Sequence, residues 1–179
     1  RWAITATDST LSEKKLEKIK SFSLMEHYEV FSDEYLGNHY EILLMPRFWS
    51  FEVIEISLNP MKVGVWKDYE SIFKRKKYAD SVTGAYYANR VAVAEYLEKI
   101  KRQASVLILR EISPEYDVPL GVGILRETTR SAMSKEPRKF GSLKEALEDI
   151  LSRLRIPIER YLKESQLMKG MQQKSLSDF

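Results

Sequence analysis

The sequence predicts an α+β fold, in which a mixed, largely antiparallel sheet packs against several helices and a flexible C-terminal tail follows. Three observations indicate this class. Aromatic and β-branched residues surround the turn residues Gly37 and Asn38, which is typical of a hairpin. The nearly continuous apolar run 105–112 is typical of a central strand. Strands and helices do not alternate as they would in a βαβ protein.

The first elements are predicted from local spacing. Within residues 1–8, the apolar residues Trp2, Ile4 and Ala6 alternate, which predicts a strand. A helix with a cap near Asp8 is expected to follow, and a hairpin is expected over 26–46. Alternation over 48–58 predicts another strand, and the irregular stretch 59–84 predicts loops with short elements.

The later elements are mostly helical. A long, largely buried helix is predicted over 85–104, before the strand at 105–112. After a loop with two prolines, a helix is expected over 122–136. The clearest helical stripe lies at 141–154, where Ser142 is the predicted N-cap and Pro157 ends the pattern. One further helix is expected over 158–168.

Length and composition set limits on the function. The 179 residues predict one domain over 1–169 and a tail over 170–179. The formal charge of +3 is small beside that of proteins that wrap DNA. The absence of cysteine excludes disulfides and thiolate metal sites in these residues and fits a cytoplasmic location. No apolar run is long enough to cross a bilayer, so no membrane partner is expected.

The C-terminal tail carries a spaced motif. Gln173, Leu176 and Phe179 form the pattern Q-x-x-L-x-x-F, and residues three apart eclipse one another in a tight helical turn. The motif resembles the PCNA-interacting peptide, and this resemblance implies that Leu176 and Phe179 enter a hydrophobic pocket of the sliding clamp. Many such peptides end in two adjacent aromatic residues, whereas this one has only Phe179. The alternative is an ordinary chain end that frays or packs back on the domain.

Two basic clusters are candidate nucleic-acid contacts. Side chains of this kind bind phosphates in a salt-dependent way, without reading sequence. The alternative is a solvated surface. The compact cluster is Lys74, Arg75, Lys76 and Lys77, and the looser one contains Arg126, Arg130, Arg138 and Lys139, with Lys135 between them.

Aromatic and acidic residues provide the rival hypothesis of an enzyme. Such an enzyme would modify a nucleotide or DNA, as a transferase or a metal-dependent nuclease. Its site would lie near Tyr86, Arg90 and Glu111, with Tyr87 and Arg110 beside them, and it requires Tyr86 and Glu111 to share a face. Core packing is the preferred interpretation of Tyr86 and Tyr87, and of Trp49 and Trp66.

Two smaller signals concern ions. Thr83 and Gly84 could begin a helix, where free backbone N–H groups attract phosphate. Glu111, Glu115 and Asp117, joined by Glu52 or Glu55, could hold Mg²⁺. No nuclease signature accompanies these carboxylates, so no metal site and no cofactor is predicted for this chain.

Most of the chain resembles the C-terminal half of the archaeal Nre family. The resemblance implies a role in DNA damage repair and recruitment to the PCNA clamp. With that role we expect contact with DNA and a nucleoid-associated location, and the further alternative is a passive scaffold that binds only proteins. The resemblance also implies that the N-terminal half of the polypeptide is missing, as the absence of an initial Met suggests, and that any zinc site lies in that half. The stretches that carry the resemblance are RWAITATD, YLGNHYEILLMPRFWSFEVIE, VTGAYYANRVAVAEYLEKIKRQASVLILREI and PEYDVPLGVGILRE.

Overall fold

The protein is a three-layer sandwich with one mixed sheet in the middle. The computed structural model describes residues 2–61, 64–116 and 121–176, and the side chains of residues 3–61, 64–116 and 121–171. The strands are β1 (Tyr28–Tyr35), β2 (Asn38–Met45), β3 (Ser50–Ser57), β4 (Val65–Glu70), β5 (Ser105–Ile112) and β6 (Arg138–Phe140). The helices are α1 (Trp2–Ile19), α2 (Gly84–Ile100), α3 (Val122–Ser134), α4 (Leu143–Leu151), α5 (Ile158–Glu164) and α6 (Gln166–Leu176).

The sheet confirms the predicted α+β class. Its strand order is β4-β3-β5-β2-β1-β6, and the paired neighbours are antiparallel except for β3 and β5, which are parallel. Helices α1, α2 and α3 cover one face, where their apolar residues pack against side chains such as Phe51 and Val53. Helices α4, α5 and α6 cover the other face, against Ile54 and Ile56. The predicted alternation along β3 is therefore confirmed, and apolar cores lie on both sides of it.

The predicted N-terminal strand is wrong, because residues 2–19 form α1. Polar residues occupy many of its buried positions, so the apolar pattern does not show the helical period. Asp8, Ser9 and Ser12 are buried with Leu16 and Ile19, a spacing of three to four residues that matches one helix face. Arginines from other helices contact these polar residues, although Asp8 Oδ2 accepts no hydrogen bond from the described residues. The sequence gives no local sign of the arginine partners.

The predicted hairpin is confirmed, with its turn one residue earlier than expected. Tyr35 pairs with Asn38, so Leu36 and Gly37 are the two central turn residues. Both have positive φ, at 47° and 72°, as a type I′ turn requires. The Asn38 side chain donates hydrogen bonds to the carbonyl oxygens of Tyr35 and Leu36, which closes the turn. The turn places Asn38 at the start of β2.

The remaining elements follow the predictions with three differences. Helices α2, α3 and α4 and strand β5 are confirmed, and Ser142 forms a capping box with Glu145 at the start of α4. The short strand β6 was not predicted. The single helix expected after Pro157 is two helices, separated at Ser165. Helical backbone continues to Leu176, whereas the flexibility of the tail stays a prediction.

Candidate functional site: a ligand cavity and a basic loop

A cavity of about 970 Å³ opens beside the starts of α2 and α3. It lies on the α1–α3 side of the sheet, at the end of β5. The segment 78–85 forms one wall, and Trp66 and Tyr116 contribute aromatic side chains. Its volume falls within the range of small-molecule sites, which is roughly 300–1,000 Å³. The lining is mostly apolar, with a few polar groups that converge on it.

A buried ion pair contributes to the cavity wall. Arg110 of β5 is 4% exposed, and its Nη1 donates to Glu55 Oε1 at 2.6 Å. Its Nε and Nη2 donate to Asn38 Oδ1, so described residues use three of the five guanidinium N–H groups. Burial raises the pKa of Glu55 above its ordinary value, although the attraction of Arg110 opposes this shift. The pair therefore fixes a cation and a carboxylate in a poorly solvated place.

Two helices begin at the cavity without a side-chain cap. Thr83 precedes α2 with a φ of 55°, and Gly121 precedes α3 with a φ of 84°; neither provides a side-chain cap hydrogen bond. A Cβ atom built on Gly84 would lie 2.5 Å from Val122 Cγ1, so the two helix starts are in contact. Uncapped first turns carry free N–H groups and partial positive charge. The predicted helix start at Thr83 and Gly84 is confirmed and lies on this cavity.

The predicted enzyme site is contradicted, because Tyr86 and Glu111 lie on opposite faces of the sheet. Tyr86 packs in the core beneath α1–α3. Glu111 Oε1 instead accepts hydrogen bonds from the backbone N–H groups of Arg155 and Ile156, which lie on the other side. Strand alternation along 105–112 would have separated Arg110 from Glu111, and only Arg110 reaches the cavity.

The predicted core role of the aromatic residues is confirmed, with one exception. Trp49, Tyr86 and Tyr87 are buried, whereas Trp66 is partly exposed at the cavity. Arg90, on α2, is also buried and its Nη1 donates to Glu70 Oε2 at 2.8 Å. Arg90 therefore links α2 to the end of β4.

The acidic candidates are dispersed. Glu52 contacts the start of α6, Glu55 pairs with Arg110, and Glu111 contacts the α4–α5 connection. Glu115 is exposed, and Asp117 lies outside the described residues. Among the described residues, no group of three or more histidine or acidic side chains could hold a metal ion. The cysteine ligands of the zinc site implied for the family are absent from the sequence of this chain.

The looser basic cluster is divided between helix α3 and strand β6 and is largely paired with acids. Arg126 contacts Asp8 at 2.7 Å, and Arg130 contacts Glu95 at 2.6 Å and Glu127 at 2.8 Å. At the β6 edge, Arg138 and Lys139 face carboxylates. Their partners are Asp149 at 2.9 Å from Arg138 and Glu29 at 3.8 Å from Lys139.

The compact basic cluster lies on an exposed segment, 71–78, which we term the basic loop. Arg75 differs from its neighbours, because it donates to Asp68 Oδ1 and to the carbonyl oxygens of Tyr69 and Lys77. Lys76 and Lys77 are exposed and form no ion pair with any described residue. Phe73 on the same loop is 79% exposed. Sequence reasoning missed Phe73, although its place beside four consecutive basic residues was a usable signal.

The tail motif lies at the end of α6. The backbone of Gln173 and Leu176 is helical, and Phe179 lies outside the described residues. Earlier residues of the same helix are fixed, since Leu167 and Met168 are buried in the second core. Across the described parts of the chain, every helix is too short or too polar to cross a bilayer.

The fold and the cavity define an α+β protein whose sheet is covered on both faces. Residues 1–66 match the family model for "Archaeal Nre, N-terminal", and residues 70–179 match the model for "Archaeal Nre, C-terminal". The chain belongs to the archaeal Nre family. The expectation that it represents only the C-terminal half is therefore revised, because its first third matches the N-terminal model.

Curated relatives give the same result. The chain is 37% identical over its whole length to the DNA repair protein NreB of Archaeoglobus fulgidus, and it covers 47% of that protein. It is 36% identical over 82% of its length to the DNA repair protein NreA of the same organism, covering 39% of it. NreA of Haloferax volcanii is 31% identical over 96% of the chain, with 43% of the relative covered. The chain thus spans less than half the length of these relatives. No solved structure matches it.

The two family regions share one sheet. Strands β1, β2 and β3 belong to the N-terminal match, whereas β5 and β6 belong to the C-terminal match. Strand β5 lies between β2 and β3 and pairs with both along eight residues. The boundary between the two matches is therefore not a boundary between separately packed units.

Proposed function

We propose that this chain takes part in DNA repair. The observation that carries the proposal is the match of the whole chain, at 37% identity, to a protein named DNA repair protein NreB. Two further relatives named as DNA repair proteins match 82% and 96% of the chain. The repair function of the complete polypeptide is proposed from these relatives, since the chain covers less than half of each.

We further propose that the tail recruits the protein to the PCNA sliding clamp. The spacing of Gln173, Leu176 and Phe179 supports this role. The position of the motif supports it too, because α6 begins at a fixed point on β3 and leads directly to these residues. Tethering to the clamp would raise the local concentration of the protein at DNA without tight DNA binding.

The clamp proposal is tested by titrating PCNA with the full-length protein and with Leu176→Ala/Phe179→Ala. Loss of two apolar anchors should weaken binding by roughly 100-fold or more, because each buried side chain contributes about 1.5–3 kcal/mol. Leu151→Ala/Phe48→Ala is the matched control, since both residues are exposed and lie elsewhere on the surface. Equal affinity of the tail variant and the unmodified protein would refute the clamp proposal.

The basic loop is the proposed contact with DNA. Lys76 and Lys77 are exposed and unpaired among the described residues, and Lys74 contacts Glu13 through an exposed pair at 2.8 Å. Such a pair contributes only about 0–1 kcal/mol, so phosphate can compete for the lysine. The exposed ring of Phe73 is suited to stack on an unpaired base. Arg126, Arg130, Arg138 and Lys139 are weaker candidates because carboxylates already contact them.

The DNA contact is tested by the salt dependence of binding to single-stranded DNA. Lys76→Gln/Lys77→Gln should weaken binding and reduce the slope of log K against log salt by about 1.4, since each phosphate contact on a single strand contributes roughly 0.7. Lys144→Gln/Lys163→Gln removes the same charge from exposed positions on the other side of the sheet. If the two variants bind alike, the basic loop is not the contact surface.

A further inference from the structure

The cavity beside α2 and α3 combines three features that together favour one class of ligand. It is large enough for a small organic molecule, at about 970 Å³. A buried arginine, Arg110, lines it with two N–H groups that no described residue accepts. Partly exposed aromatic rings line it too, namely Trp66, Tyr78 and Tyr116.

The helix starts supply the charge that an anionic group requires. Glu55 offsets the charge of Arg110, and the exposed residue Asp80 adds a second acidic side chain to the lining, so the side chains alone do not make the cavity positive. Helices α2 and α3 have 17 and 13 residues, and each adds a partial positive charge of roughly half a unit at its uncapped first turn. Because Gly84 allows the two helix starts to touch, one anion can lie close to both.

The rings supply the apolar part. Tyr78 stacks on Tyr87 with 4.3 Å between ring centroids, so its orientation is fixed although it is partly exposed. Trp66 extends from β4 at another part of the lining. Aromatic faces of this kind stack on nucleobases. Glu55 Oε2, which accepts no hydrogen bond from the described residues, could accept one from a hydroxyl or amino group.

We infer that this cavity binds a nucleotide, with the base against the aromatic rings and the phosphate at the α2 and α3 starts near Arg110. The ligand could be a free nucleotide or a nucleotide unit of a DNA strand, since both present the same chemistry. The inference goes beyond the proposed repair function. It does not rest on the clamp peptide or on the lysines of the basic loop, although Tyr78, the last residue of that loop, lines the cavity.

The test is calorimetric titration of the full-length protein with AMP, adenosine and a single-stranded oligonucleotide of six deoxyadenosines. AMP should bind more tightly than adenosine, because only AMP carries the phosphate. Trp66→Ala and Tyr78→Ala should each weaken AMP binding by roughly 5-fold or more, as expected for loss of one stacking ring. Both residues are partly exposed, so the variants should fold. Tyr35→Ala is the control, since Tyr35 is an exposed ring on the hairpin outside the cavity lining.

The outcomes distinguish the two sources of the nucleotide. Binding of AMP that depends on Trp66 and Tyr78 supports a free nucleotide. Binding of the oligonucleotide alone, with the same dependence, supports a nucleotide within a strand. The inference is overturned if neither AMP nor the oligonucleotide binds, if AMP and adenosine both bind and do so equally tightly, or if Trp66→Ala and Tyr78→Ala bind like the control. The cavity ligand should still bind to Lys76→Gln/Lys77→Gln and to Leu176→Ala/Phe179→Ala. Failure of the proposed function can therefore be distinguished from failure of this inference.

Discussion

Ser165 Oγ donates a hydrogen bond of 2.5 Å to Glu52 Oε2, which ties the start of α6 to the middle of the sheet. The same carboxylate accepts from the backbone N–H groups of Gln166 and Leu167. Ser165 Oγ in turn accepts from the N–H of Met168. The cap of α6 thus includes a carboxylate from β3, more than 100 residues away in sequence.

The first prediction concerns this cap. Ser165→Ala should lower the free energy of unfolding by about 1–2 kcal/mol. Glu52→Ala should lower it by more, because it leaves the N–H groups of Gln166 and Leu167 without an acceptor. Chemical denaturation measures the loss, and faster amide hydrogen exchange at residues 166–168 localises it. Ser142→Ala, in the exposed capping box of α4, is the comparison and should leave exchange at α6 unchanged. Additive effects of Ser165→Ala and Glu52→Ala would argue against a coupled cap.

The second prediction concerns the buried pair of Arg90 and Glu70. Arg90→Met should lower the free energy of unfolding by about 3–5 kcal/mol, because Glu70 would keep a buried charge without its partner. Arg90→Met/Glu70→Gln should recover part of this loss, since the charge is then removed. Guanidinium unfolding curves of both variants provide the measurement. A double variant less stable than Arg90→Met would contradict the explanation.

The third prediction concerns pH. Burial raises the pKa of Glu111 above its ordinary value, although hydrogen bonds from the N–H groups of Ile156 and Arg155 oppose the shift. The folded state therefore binds the proton of the Glu111 carboxyl group more tightly than the unfolded state does. The contribution of Glu111 to stability is full below the ordinary pKa of about 4.5 and is lost as pH rises through the folded pKa.

Glu111→Gln should accordingly make the free energy of unfolding fall less between pH 4.5 and neutral pH than it does in the unmodified protein. The measurement is a series of denaturant titrations across this range. Glu115→Gln, at an exposed position, is the matched control for the removal of one carboxyl group. Parallel stability curves for Glu111→Gln and the unmodified protein would show that the raised pKa has no such effect.

The fourth prediction concerns the hairpin turn. Leu36 has a φ of 47°, a conformation that costs an ordinary residue about 1–2 kcal/mol and that asparagine adopts more readily. Leu36→Asn should therefore raise the midpoint of denaturation, because the side chain is 49% exposed and little burial is lost. Leu151→Asn, at a similarly exposed helical position, should not stabilise the protein. Stabilisation by both variants would point to the loss of an exposed apolar side chain and not to the turn.

Much of the fold was predictable where the local pattern and the tertiary environment agree. The apolar run of β5 and the capping box of α4 are signals of this kind. Helix α1 was not predictable, because its buried polar residues contact arginines that come from α2 and α3. Strand β6 has only three residues and forms by pairing with β1, so it carries no periodicity of its own.

The candidate site was predictable only in pieces. The helix start at Thr83 and Gly84 follows from local residues, and so does the compact basic cluster. The cavity needs Arg110, Glu55 and Trp66 together, and these residues lie on three strands whose order in the sheet no local signal reveals. Parallel pairing of β3 with β5 brings Glu55 opposite Arg110, and the sequence alone does not show it.

The position of β5 between β2 and β3 has a consequence for how the polypeptide can be divided. If the gene were cut between the codons for residues 66 and 70, the second product would contain β5 without β2 and β3. Both edges of β5 would then lack their paired strands. Each product would expose strand edges with unpaired backbone N–H and C=O groups and would aggregate when made alone. Made together in one cell, the two products could rebuild the missing ladder between them, so the cut protein would work as a complementation pair and not as two independent modules.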